Sequence, residues 1–129
     1  MSRSRSIRTV LVVDAANVVG ARADGWWKDR PGAARRLHEE LLVADLPQDE
    51  IVLVLEGQAK QGVKAGRDAH VRCVHAARDG DRTIVEQAQA AAEAGRQVTV
   101  VSADRALQAR VAACGALAVG PVWLLDRLG

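Results

Sequence analysis

Asp14 closes the apolar run Ile7–Val13, and Asp104 stands just beyond a second such run, Val98–Val101. Carboxylates in these places suit one chemistry above others. Two like charges held close raise each other's pKa unless a positive charge joins them. A hard divalent cation does this, bound by carboxylate oxygens and several waters. Asp81, at the head of the Ala-rich stretch Arg82–Ala94, is a candidate third ligand. A carboxylate there has another use, since it can cap the free backbone N–H groups of a helix start. Both readings of Asp81 stand at this point. The histidines (His38, His70, His75) form no metal-ligand pattern, and Cys73 and Cys114 have no CxxC spacing. The glycine signatures of dinucleotide and P-loop sites are absent, as is the GxSxG of a serine nucleophile.

The elements that must position these acids alternate along the chain. Ile7–Val13, Ile51–Leu55, His70–His75, Val98–Val101 and Ala116–Val119 read as strands. Helical stretches begin at Pro31 after Asp29, run from Arg82 to Ala94 before Gly95, and run from Ala103 to Cys114 before Gly115. Glu56–Asp68, with three glycines, reads as a loop, and Pro121–Leu128 as a terminal helical turn or two. Continuous apolar strands alternating with helices predict a three-layer α/β/α sandwich around a parallel sheet. Five strands suit the order 3-2-1-4-5, in which strands one and four meet where the winding reverses. The ligand crevice lies beyond their carboxyl ends, which is where Asp14 and Asp104 fall. A right-handed crossover starts the Arg82–Ala94 helix far from Asp104, so Asp81 reaches the crevice only if that helix runs obliquely or its loop folds over.

Length and charge narrow the function classes. With 129 residues, the chain holds one domain. Its hydrophobic fraction of 49% is enough to offset chain entropy, so extended disorder is excluded. No stretch approaches the roughly 20 apolar residues of a membrane span. Met1–Arg8 has no apolar signal-peptide core and reads as an Arg/Ser arm whose first six residues are flexible. Unpaired cysteines then predict a reducing cytoplasm. The net charge of +2 does not by itself announce a nucleic-acid partner.

Three segments together resemble a known family. Asp14-Ala-Ala-Asn17-Val-Val-Gly20 is similar to the DxxN(V/I)xG opening of NYN domains, a branch of the PIN-like nuclease fold. Asp81-Arg-Thr-Ile84 resembles that family's second motif, an acid leading into a helix, and Ser102-Ala-Asp104-Arg105-Ala-Leu107 its third. The resemblance runs from about Thr9 to Val119 and implies the same sheet, with all three loops brought to one acidic pocket. It implies Mg²⁺- or Mn²⁺-dependent hydrolysis of RNA phosphodiesters. Asp14, Asp81 and Asp104 would hold metal, Asn17 would orient Asp14 or bind a water, and Ser102 would bond a carboxylate or a phosphate. Family members often present a fourth acid, for which Glu56 is the candidate; Asp79 is an alternative to Asp81, and Glu86 lies one turn inside the helix. Arg82 stands where a second acid would complete an Asp-Asp pair, which favours one metal over two.

Other residues suit a substrate of unpaired RNA. Trp26 and Trp27 are either a stacking platform for bases or packing for the open end of the sheet. Lys60, Lys64 and Arg67, spaced by glycines, either follow a phosphate backbone or line a solvated loop. Arg105 joins the substrate side through the third motif. A homodimer or a protein partner is compatible with the sequence. Two rival functions remain. One is a nucleoside-triphosphate pyrophosphohydrolase, although the ExxE helices of that class are missing. The other is an inactive RNA- or protein-binding module.

Overall fold

The central strands are apolar over most of their length, yet their side chains divide between two faces with period two. In β1 (Thr9–Asp14), Leu11 and Val13 enter one core, while Val10 and Val12 enter the other. In β2 (Glu50–Leu55) the division is Ile51, Leu53 and Leu55 against Val52 and Val54. The two cores make three layers. Helices α1 (Ala15–Gly20), α2 (Arg30–Val43) and α5 (Pro121–Leu128) cover the Leu/Ile-rich face. Helices α3 (Gly80–Glu93) and α4 (Arg105–Ala113) cover the Val face, and Ala88 and Ala91 let α3 lie close against the sheet. The structure is a computed structural model, and it describes residues 7–129; the proposed arm over residues 1–6 lies outside the described residues.

The sheet has six strands in the order β3-β4-β2-β1-β5-β6. Five of them, β4 (Val71–His75), β2, β1, β5 (Gln97–Val101) and β6 (Leu117–Val119), run parallel in the expected 3-2-1-4-5 order. The expectation of a five-stranded, wholly parallel sheet is corrected by β3 (Gly66–Asp68), which pairs antiparallel with β4 at the edge. It falls inside the stretch read as a loop. Its three residues are all exposed and none is apolar, so hydrophobic periodicity leaves no trace of it. The backbone ladder holds it, together with an ion pair between Arg67 and the buried Glu50. Glu50 also lies within 3.8 Å of Arg72, so its carboxylate is buried with partners.

The topological reversal falls between β1 and β5, where Val13 stands beside Val101. Helix α3 follows β4, crosses the sheet and packs on β2, β1 and β5 before the chain enters β5. Its first turn therefore stands over the carboxyl ends of the central strands. This removes the geometric obstacle to Asp81, because the crossover passes two intervening strands.

Candidate active site

Asp14 is the last residue of β1 and the N-cap of α1, a helix too short to have registered in the sequence. Its Oδ1 accepts from the Asn17 backbone N–H at 3.4 Å, and its Oδ2 accepts from the Asn17 side-chain amide at 2.7 Å. The Ser102 hydroxyl, from the end of β5, donates to the same Oδ2 at 2.9 Å. Asn17 reaches across as well, its Oδ1 accepting from the Ala103 backbone N–H at 3.0 Å. Ser102 in turn accepts from the Asp104 backbone N–H at 3.1 Å. Two small polar side chains thus lock the loops after β1 and β5 together. The motif residues Asp14, Asn17, Ser102 and Asp104 form one hydrogen-bonded unit.

Asp104 caps α4, accepting from the Leu107 N–H at 3.0 Å. At the start of α3 the cap is Asp79, which accepts from the Arg82 N–H at 3.2 Å. The cap reading of Asp81 is therefore corrected: Asp81 lies inside the first turn, with its carboxylate free of that duty. Glu56, directly after β2, accepts from the Gly80 N–H and so ties the head of α3 to the end of β2. Gly80 permits the approach, since a Cβ there would stand 2.7 Å from the Glu56 Oε2.

These acids sense one another. Burial pushes the Asp14 carboxyl up to about 6, and the charges of Asp81 and Glu56 add to the rise, against the hydrogen bonds from Ser102 and Asn17. Asp81 is also raised, by partial burial first, then by Asp104 and Asp79, while Arg110 opposes the rise. Asp14, Asp81, Asp104 and Glu56 are thus gathered at one end of the sheet. Glu86 is not, being exposed and 3.8 Å from Arg82.

The expected substrate residues divide. Arg105 is exposed at the head of α4, beside Asp104. Of the two partners expected for Ser102, the structure provides the carboxylate, and full burial removes its hydroxyl from any phosphate. Lys64 is exposed, whereas Lys60 donates to the Ala76 carbonyl at 3.0 Å and braces the loop. Arg67 is turned away: β3 runs back along β4 and delivers its guanidinium to Glu50, at the amino end of β2. Trp26 is half-buried against the α1/α2 core, and Trp27 is 57% exposed with its ring edge-on to Trp26. Periodicity and motif spacing missed Arg30 and Arg78, which join Trp26 and Glu56 around a cleft beside the acids.

The division of labour between Asp79 and Asp81 is testable. Asp79→Ala should cost about 1 kcal/mol of stability, as lost caps do. Asp81→Asn should leave the melting temperature unchanged or raise it, while weakening Mn²⁺ binding. Thermal melts paired with Mn²⁺ titration distinguish the two, and equal destabilisation by both variants would reinstate Asp81 as a structural residue.

Comparison with known proteins identifies the family and the fold. The family model described as the YacP-like NYN domain matches residues 11–128. The crystal structure of a variant of Rae1 (YacP) from Bacillus subtilis is similar, with a TM-score of 0.67 at 20% identity. The match covers 93% of this chain and 74% of that one. No curated protein matches the sequence.

Proposed function

Since the chain belongs to the YacP-like NYN domain family, a nuclease-type family, we propose that it is a metal-dependent ribonuclease that hydrolyses RNA phosphodiesters at the acids beyond β1 and β5. The observation that carries this reading is Asp14, a buried carboxylate aligned by Asn17 and Ser102 whose pKa is raised by that burial first and by neighbouring acids second. A structure that only needed to fold would gain by replacing it.

The donor set fits a hard cation. Every candidate ligand is a carboxylate oxygen, and the mutual repulsion of the acids is what a divalent charge relieves. Among the described residues, no three His, Cys, Asp or Glu side chains close into a ready-made cage. Mg²⁺ or Mn²⁺ would be held by one or two of the carboxylates, with waters completing the shell. Asp14 is the central ligand, with Asp81, Asp104 and Glu56 beside it. When bound, the cation supplies positive charge to the scissile phosphate and acidifies water for in-line attack.

The chain's own residues do the positioning. Asn17 and Ser102 fix both the rotamer and the height of Asp14, so the carboxylate needs no reorganisation when charge develops. Glu56 holds the first turn of α3 over the site through Gly80, which keeps Asp81 in range. Arg105 and Lys64, both exposed, offer positive charge to flanking phosphates, with single-stranded RNA as the substrate class. Among the described residues no helix is long and apolar enough to cross a membrane. The buried free thiol of Cys73 suits a cytoplasmic setting.

The test is direct. The purified protein should cut labelled single-stranded RNA in Mn²⁺ or Mg²⁺, stop in EDTA, and leave nucleoside triphosphates intact. Conversion of triphosphates to monophosphates with RNA untouched would favour the pyrophosphohydrolase. Inertness toward both across divalent metals would leave a binding module.

A further inference from the structure

A cleft of about 300 Å³ opens beside the acidic cluster, between α1, α2 and the turn Gly57–Gln61. Its walls are small and apolar: Ala16 and Val19 from α1, Ala34 from α2, Ala59 from the turn. The one large wall is the flat indole of Trp26. That ring is held on more than one side. The Arg30 guanidinium lies 5.3 Å from its centroid, and Trp27 meets it edge-on with centroids 6.1 Å apart. A ring already braced gives up little entropy when a ligand stacks on it.

The polar groups around the cleft decide what it takes. Glu56 belongs both to the cleft and to the group of acids acting on Asp14. Arg30 and Arg78 stand at the cleft as well, and so does Asp79, whose carboxylate is engaged in capping α3. An apolar slot with one aromatic wall, two arginines, and a side shared with a phosphodiester-cleaving site matches a nucleotide, whose base is flat and whose phosphate is anionic. Single-stranded RNA is read in this manner, with splayed bases stacked on aromatic rings and guanidinium planes. An aliphatic peptide side chain would fill the walls but offer neither a flat face to the Trp26 ring nor an anionic group to the arginines.

We propose that this cleft is a base-binding subsite, taking one unpaired nucleobase of RNA that flanks the phosphodiester held at Asp14, with Trp26 as the stacking face. The inference rests on the ribonuclease reading for its placement beside the cut. It assigns the stacking role to Trp26, the less exposed of the tryptophan pair, because Trp26 faces the cleft. The enzyme should then require a base at one position next to the cleavage site and tolerate its absence at others.

Two measurements separate the subsite from the activity. In metal-free buffer, nucleoside 5′-monophosphates at millimolar concentration should shift the NMR signals of the Trp26 indole N–H and the Ala59 amide, and ribose 5-phosphate should not. Ala16→Phe fills the cleft from an exposed helical position and should abolish those shifts, with Ala59→Leu as a second filling variant. With metal, RNA oligonucleotides carrying one abasic ribose, walked across the cut, should show a KM raised about tenfold at a single flanking position. That position dependence should vanish in Ala16→Phe. Cleavage with no base-dependent shift and a flat abasic scan would overturn the subsite and leave the nuclease standing. Base-dependent shifts lost on filling, with no RNA cut in any metal, would overturn the nuclease reading and retain the base site.

Discussion

Asp14→Asn is expected to lower the RNA cleavage rate by at least about 10³-fold, roughly 4 kcal/mol of transition-state stabilisation, without lowering the melting temperature at pH 7. The two effects have one cause. A carboxyl raised from 3.8 to about 6 is ionised at neutral pH against a penalty of about 3 kcal/mol. Asparagine keeps the shape and removes the charge, so the penalty disappears. The exchange is not free, because in either orientation the new NH₂ group meets a donor: the Asn17 backbone N–H that reaches Asp14 Oδ1 at 3.4 Å, or the Asn17 side-chain amide that donates to Oδ2 at 2.7 Å. A mismatched pair of this kind costs about 1–3 kcal/mol. Stability therefore stays level or rises. Mn²⁺ supplies the second readout: a cation bound only to the folded state raises the melting temperature of the wild type by mass action, and the variant should not respond. An Asp14→Asn protein that cleaves at near wild-type rate would remove Asp14 from the chemistry. One that melts far lower without metal would make its role structural.

Lowering the pH from 7.5 to 5 is expected to weaken Mn²⁺ binding about tenfold and to stabilise the metal-free protein through Asp14. The sign follows from which state holds the proton. Asp14 has a folded pKa of about 6, above its value of 3.8 outside the fold, so between these limits the native state binds more protons than the unfolded one. Unfolding free energy from this group then falls as pH rises through the window, and is regained as pH drops below 6. Asp81, raised for the same reasons, acts in the same direction. Asp49 works the other way, its carboxyl held low by the Arg8 and Thr9 backbone N–H groups, but it is fully exposed. Metal binding requires the ionised carboxylate. At pH 5, about one Asp14 in ten is ionised if its pKa is about 6, which sets the tenfold loss. Calorimetric titration at the two pH values, with Asp14→Asn as control, checks this. An affinity independent of pH would show that Asp14 does not hold the cation.

The strand order was legible because burial on both faces leaves a strong mark. Val10–Val13 and Ile51–Leu55 are apolar throughout and Val98–Val101 is broken only by Thr99, and a covered parallel sheet accommodates such runs. The helix ends were legible where a cap or a breaker stands, as at Asp29-Arg-Pro31, Gly95 and Gly115. The three acidic motifs were legible because each follows a strand or opens a helix, so order along the chain translated into position at one end of the sheet. Strand β3 escaped, since an exposed edge held by Arg67 and Glu50 has no hydrophobic signature.

By itself, the sequence determined the doubly wound order and the placement of Asp14 and Asp104 at its reversal, because apolar patterning and crossover handedness are local consequences of residue type. Tertiary structure alone decided which aspartate caps α3, since Asp79 and Asp81 are chemically alike and only the helix start tells them apart. It also decided that the first turn of α3 is tied to Glu56 over the site, and that Asn17 and Ser102 bind the two loops to one carboxylate. It divided the basic residues, leaving Arg105 and Lys64 exposed and committing Lys60 and Arg67 to the fold. The reason is common to all of these. A polar side chain takes its role from the partner that reaches it, and partners such as Ser102 and Asp14, 88 residues apart, meet only when the sheet assembles.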